Sequence, residues 1–217
     1  MAYKLVFIDE EKDQHEHFMD YMDAAGEQFE VVCLYPEADL ESMINRLEEC
    51  HPDAIVSDYL LNEMKENIKY NVPYNGVELV QSYRDIRPGF PCFVITSYDN
   101  DAVAEIEDVN LVYVKGLLTN GEQSNKAKFY DRIKAQIEKY KNSIELAQKE
   151  LNKLLKKRES DTLDMAEEER IVDLDNFLEK SLDNYTSLPS QMKDSKNLRH
   201  LTSILDNIDT LDRKSVV

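Results

Sequence analysis

Cysteine, glycine and proline are all scarce in this chain. Of 217 residues, 3 are cysteine, 5 glycine and 6 proline. Cys33, Cys50 and Cys92 are odd in number and have no metal-ligand spacing, and no signal-peptide pattern is present. A disulfide framework is therefore excluded, and a reducing cytoplasm is the expected location. Cys33 and Cys92 fall inside strand-like runs and read as small buried apolar side chains. No uncharged apolar run approaches the ~20 residues a membrane helix requires, so no membrane partner is expected. Bases are scarce in the first half only. Residues 1–120 carry 25 acids and 8 bases, a net of 8 − 25 = −17, whereas residues 121–217 carry 19 acids and 18 bases, a net of −1. An acidic surface of that strength argues against direct nucleic-acid binding and favours a cation in an acidic pocket. The second half lacks a glycine-containing turn between two short helices and a basic recognition helix, so a helix-turn-helix output is not expected. It also has no second catalytic cluster.

What is present is a series of short apolar runs that end in chemically useful residues. LVFIDEE ends in Asp9, Glu10 and Glu11; AIVSDYL contains Asp58; CFVITS ends in Thr96 and Ser97; LVYVK ends in Lys115. Runs of four to six residues rich in Val, Ile, Leu and Phe suit strands buried on both faces of a parallel sheet. Strands are expected near 4–8, 29–35, 54–58, 91–96 and 111–115. Helices are expected near 13–25, 37–50, 76–87 and 99–107, and a fifth should start near Ser124, whose hydroxyl would cap it. Such alternation implies an α/β domain with helices on both faces of the sheet. In these sheets, ligands bind beyond the strand C-termini near the point where strand order reverses. One sheet can thus gather these carboxylates, the hydroxyl and the amine.

The ordered set resembles the receiver domain of two-component response regulators, over roughly residues 3 to 120. The acidic pair, the lone Asp58, Thr96 followed by a small residue, and Lys115 occur in that family's order, and Asn75-Gly76-Val77-Glu78-Leu79 looks like the start of its third helix. The resemblance implies a doubly wound five-stranded parallel sheet of order 2-1-3-4-5 over residues 1–122. It implies that Asp58 accepts a phosphoryl group from a histidine kinase or phosphotransfer protein. Asp9, Glu10, Asp58 and the Leu60 carbonyl would hold Mg²⁺. Lys115 and Thr96 would contact the phosphoryl oxygens. The chain would not be a turnover enzyme. The chemistry is coherent, because transfer to a carboxylate needs an in-line nucleophile and neutralised phosphoryl charge. Three adjacent carboxylates also repel one another without a cation, and all-oxygen donors suit Mg²⁺. Glu11 reads as solvated.

Three departures accompany the resemblance. Gly116 follows Lys115 where receivers usually carry proline, so the turn is permitted but not enforced. Val112 stands where a switching aromatic is common, and Tyr113, one place on, should face the other side of the strand. The separation of Asp58 from Gly76 is unusually long. The added stretch Asn62–Asn75, with Tyr70 and Tyr74, reads either as a contact surface or lid beside the site or as a tolerated surface insertion. These departures leave open a receiver-like scaffold or a phosphate sink without output. His15 and His17 lie two apart on a helix and cannot form a metal pair on one face. His200 reads as a surface or interface histidine rather than a phosphotransfer group.

Residues 123–217 are expected to form a helical coiled coil or bundle. Tyr130, Ile133, Ile137, Tyr140, Ile144, Ala147, Leu151 and Leu154 recur at alternating spacings of 3 and 4, with no Gly or Pro from Glu122 to Arg158. Further helices are expected over 163–186 and after Pro189. Residues 124–158 carry 11 bases and 4 acids, and residues 159–217 carry 7 bases and 14 acids. Opposite charge favours the later helices covering the rod, in cis or on a second chain. A homodimer and a docked protein partner are both expected of this region.

Overall fold

The computed structural model describes residues 2–62, 68–97, 111–119, 128–160 and 163–181. Five parallel strands form one sheet: β1 (Tyr3–Ile8), β2 (Phe29–Leu34), β3 (Ala54–Asp58), β4 (Cys92–Thr96) and β5 (Val112–Val114), in the order β2-β1-β3-β4-β5. This is the doubly wound order expected. The helices are α1 (Lys12–Asp23), α2 (Leu40–Cys50), α3 (Gly76–Ile86), the short α4 (Gly116–Thr119), α5 (Phe129–Ser160) and α6 (Met165–Ser181). The helix expected over 99–107, the cap at Ser124, the helix after Pro189 and His200 lie outside the described residues.

Every residue of β3 and β4 is buried, as is the C-terminal part of β1. Alternate side chains point to opposite faces. Val6, Ile8, Ile55, Cys92 and Val94 meet Met43 and Leu47 of α2 and Val80 and Tyr83 of α3. Leu5, Phe7, Val56, Phe93 and Ile95 meet Phe18 and Met22 of α1 and Phe129, Ile133 and Ile137 of α5. β2 is an edge strand, so Cys33 is only half-buried, while Cys92 on inner β4 is fully buried, as expected of it.

Local chemistry sets the helix starts. α2 begins at Leu40 rather than near 37, because Asp39 is the cap and its Oδ1 accepts the Ser42 N–H at 2.8 Å. α3 starts with a reciprocal capping box between Asn75 and Glu78. Asp164 and Glu167 make the same exchange at the start of α6.

The chain divides into two compact units, residues 1–141 and 142–217, and the apolar seam of α5 is shared between them. In the first unit, Tyr130, Ile133 and Ile137 are buried on the sheet, and Tyr140 packs on Phe90 at 5.5 Å. In the second, Ala147 and Leu151 are buried against Ile171, Leu174 and Leu178 of α6. The charge asymmetry appears there in the Lys157–Glu167 and Arg158–Glu168 pairs, whereas the Arg170–Glu150 pair runs the other way. The buried seam positions are thus covered from within the chain: a helical extension is present, and α6 folds back on α5.

Candidate functional site

The C-terminal ends of β1 and β3 place three carboxylates together. One oxygen from each of Asp9, Glu10 and Asp58 lies within 4.8 Å of the other two, and all three residues are buried. Lys115, directly after β5, puts Nζ 2.9 Å from Asp58 Oδ1 and 3.3 Å from Asp9 Oδ2. Its own N–H donates to the Thr96 carbonyl at 2.8 Å, which ties the turn after β5 to the end of β4. Gly116 opens α4, and the lysine reaches the pocket with no proline after it.

The main chain holds each group from below. The Asp9 N–H donates to the Leu34 carbonyl, and Asp9 Oδ1 accepts the Glu11 N–H at 2.9 Å. The Tyr59 N–H donates to the Ile95 carbonyl at 2.9 Å, so the residue after Asp58 is fastened to β4. Thr96 is buried at the end of β4, which pairs with β3, and Asp58 is opposite Ile95 in that register. Leu60 follows two residues after Asp58 and is partly buried against the core.

Burial pushes the Asp58 carboxyl up to about 7; Lys115 opposes this, while Asp9 and Glu10 reinforce it. Burial likewise raises Asp9, against Lys115 and the Glu11 N–H. For Lys115, burial disfavours the charge, but Asp58 and Asp9 outweigh it and hold the amine above its ordinary value. Fully ionised, three carboxylates and one ammonium leave −3 + 1 = −2, the charge a divalent cation neutralises. The donors are all hard oxygens, so the residues fit Mg²⁺ better than a soft metal.

His15, for which the sequence suggests no part in the pocket, also packs beside it. It is buried, its Nε2 lies 2.8 Å from the Asp9 carbonyl oxygen, and its ring packs on Phe7 and Tyr35. The spacing of His15, Phe18 and Met22, the buried residues of α1, carried that signal.

The stretch Asn62–Asn75, expected to be a contact surface or lid, is in its described part a component of the core. Ile68, Val72 and Tyr74 are buried in the cluster beneath α2 and α3. Tyr74 Oη donates to the Glu37 carbonyl at 2.9 Å and Tyr70 Oη to the Pro36 carbonyl at 2.7 Å. Asn62 Nδ2 donates to the Val72 carbonyl at 2.8 Å. Ile68, Val72 and Tyr74, at alternate positions, are buried, whereas Tyr70 in the same alternation is 39% exposed. Val112 and Tyr113 do face opposite sides of the sheet, and the Tyr113 ring packs tilted against Phe129, 4.9 Å between centroids.

No protein-family model matches the chain, and no curated protein does. Among solved structures, it is similar to a CheY-like response regulator receiver domain protein from Methanospirillum hungatei: 14% identity, 66% of this chain, 99% of that one, TM-score 0.41. A receiver domain protein from Clostridium thermocellum is similar at 16% identity, 67% of this chain, 98% of that one and TM-score 0.41. The anti-anti-sigma factor PhyR from Bartonella quintana is similar at 13% identity over 68% of this chain and 52% of that one, TM-score 0.46.

Proposed function

We propose that this chain is a phosphoacceptor receiver in which Asp58 is the nucleophile and residues 123–217 form the protein-binding output. The carrying observation is the placement of Lys115 Nζ 2.9 Å from Asp58 Oδ1 inside a pocket of three buried carboxylates. A buried carboxylate trio with one shared ammonium is costly to fold unless a cation balances it. A scaffold reading gives no reason to keep this arrangement.

An Asp58 carboxylate oxygen attacks the phosphorus of a phosphohistidine or a small acyl phosphate. The new P–O bond forms as the donor's P–N or P–O bond breaks, and the donor leaves with that electron pair. Asp9, Glu10 and Asp58, with the Leu60 carbonyl, would hold Mg²⁺, which when bound neutralises charge on the transferring group. Lys115 neutralises a phosphoryl oxygen as a point charge, and in doing so releases part of its hold on Asp9. Thr96, at the end of the neighbouring strand, offers its hydroxyl to another oxygen. Each chain takes one phosphoryl group, so the step is a switch and not a turnover reaction. A histidine kinase or phosphotransfer protein is the donor, and a protein that recognises the helical extension is the reader.

Incubation with acetyl phosphate and Mg²⁺, followed by intact mass, tests the reading. One phosphoryl adduct is expected on the wild type and none on Asp58→Asn. Equal labelling of both proteins removes Asp58 from the role, and no labelling of either favours the scaffold.

A further inference from the structure

We infer that Gly76 is a positioning residue for Asp58: its missing side chain lets the first turn of α3 press on the main chain of the nucleophile and fix where its carboxylate sits. The inference rests on the reading of Asp58 as phosphoacceptor.

A Cβ at Gly76 would lie 1.9 Å from the Asp58 carbonyl oxygen, 2.9 Å from its carbonyl carbon and 2.9 Å from Ser57 Oγ. Gly76 is not among the positive-φ residues. Space, and not backbone conformation, therefore requires glycine here. The approach is used: Gly76 N–H donates to the Tyr59 carbonyl at 2.8 Å, and Ser57 Oγ donates to the Asp58 carbonyl at 2.9 Å. On the other side, the Tyr59 N–H donates to Ile95 of β4. The peptide units on either side of Tyr59, the first of which carries the Asp58 carbonyl, are thus clamped between a core strand and a helix start.

The helix cannot easily retreat to make room. Its capping box fixes the first turn, and Val77, Leu79 and Val80 are buried beneath it. The segment before it is pinned by Tyr74 and by the Asn62–Val72 hydrogen bond. A methyl group at position 76 would therefore be accommodated largely at Asp58. In-line transfer is sensitive to such displacement, since misplacement by about 1 Å can cost on the order of 100-fold.

The test compares full-length wild type, Gly76→Ala and Val80→Ala, the last as a destabilised control in the hydrophobic core. Labelling by acetyl phosphate is timed by intact mass, and Mg²⁺ affinity is measured by calorimetry, both well below every melting midpoint. Gly76→Ala should label at least about tenfold more slowly and bind Mg²⁺ about threefold more weakly, with Val80→Ala within about twofold of wild type in both. Equal behaviour of Gly76→Ala and Val80→Ala overturns the inference, because a purely structural glycine affects only stability. Should Gly76→Ala not fold, Ser57→Ala removes the hydroxyl that holds the Asp58 carbonyl without adding bulk. It should label about threefold more slowly, and a wild-type rate overturns the inference. If the wild type binds Mg²⁺ but takes no phosphoryl group, the phosphoacceptor reading fails by itself. Mg²⁺ affinity then decides on Gly76, with weaker binding by Gly76→Ala supporting the positioning role and equal binding refuting it. A wild type that takes up neither removes both.

Discussion

Lys115 Nζ lies 2.9 Å from Asp58 Oδ1 and 3.3 Å from Asp9 Oδ2, so a single ammonium is shared by two buried carboxylates. Replacing it with an apolar residue leaves those carboxylates facing each other with no internal cation. Lys115→Met should lower stability by roughly 1–3 kcal/mol at pH 8, the range for stranding a buried polar group. It should cost less at pH 5, where Asp58 is protonated. Thermal melts at the two pH values check this, and a uniform cost across pH would show that the lysine acts by packing alone.

The same pocket makes metal-free stability depend on pH. Asp58 titrates near 7 in the folded chain and near its ordinary 3.8 when exposed. Between those values the folded state holds a proton that the unfolded state has released. This contribution is therefore full below pH 3.8 and lost as pH rises through 7, by up to about 4 kcal/mol at ~1.36 kcal/mol per pH unit. Asp9, also raised by burial, acts in the same direction. Mg²⁺ competes with those protons, so its stabilising effect should be larger at pH 8 than at pH 5.5. Asp58→Asn should flatten both trends; if its melting profile is as steep as that of the wild type, the titrating group lies elsewhere.

Ile68 is 3% exposed and belongs to the core beneath α2 and α3, although it lies in the long connection after β3. Ile68→Ala should cost about 2–5 kcal/mol, the range for emptying a core position. Tyr74→Phe, which loses only the hydrogen bond to Glu37, should cost about 0.5–1.5 kcal/mol. Denaturant melts separate these values. A near-zero cost for Ile68→Ala would mean that the segment is loose in solution.

The sheet and the gathering of charged groups at its C-terminal edge were legible in the sequence, because buried parallel strands write uninterrupted apolar runs and the charged residues follow them directly. Asp9, Glu10, Asp58 and Lys115 were found that way, although Asp9 and Lys115 are 106 positions apart. The role of the connection was not legible: Ile68, Tyr70, Val72 and Tyr74 alternate, but in a stretch without a strand only tertiary packing shows that Ile68, Val72 and Tyr74 are buried. His15 shares an inward face with Phe18 and Met22, three and seven positions on, a pattern that its pairing with His17 hides. The seam of α5 was legible as a stripe but not as two surfaces. A run of spacings 3 and 4 is the same whether a sheet or a helix covers it, and the sheet takes Ile133 and Ile137 while α6 takes Ala147 and Leu151.

That division makes a prediction about the second unit. Leu151 is 4% exposed, and Leu151→Ala should destabilise the α5–α6 packing by about 2–5 kcal/mol. Amide hydrogen exchange should accelerate in Met165–Ser181 while Ala54–Asp58 keeps its protection. Equal acceleration in both stretches would show that the two units unfold as one.

The central claim is that a phosphoryl group resides on Asp58, and the most direct measurement is its chemical location. Borohydride reduces an acyl phosphate to an alcohol, so treatment after incubation with acetyl phosphate and Mg²⁺ should convert Asp58 to homoserine. Peptide mass mapping should find that conversion at Asp58, dependent on Mg²⁺, and at no other acidic residue. Conversion at a different carboxylate, or none in a folded protein that binds Mg²⁺, would contradict the account.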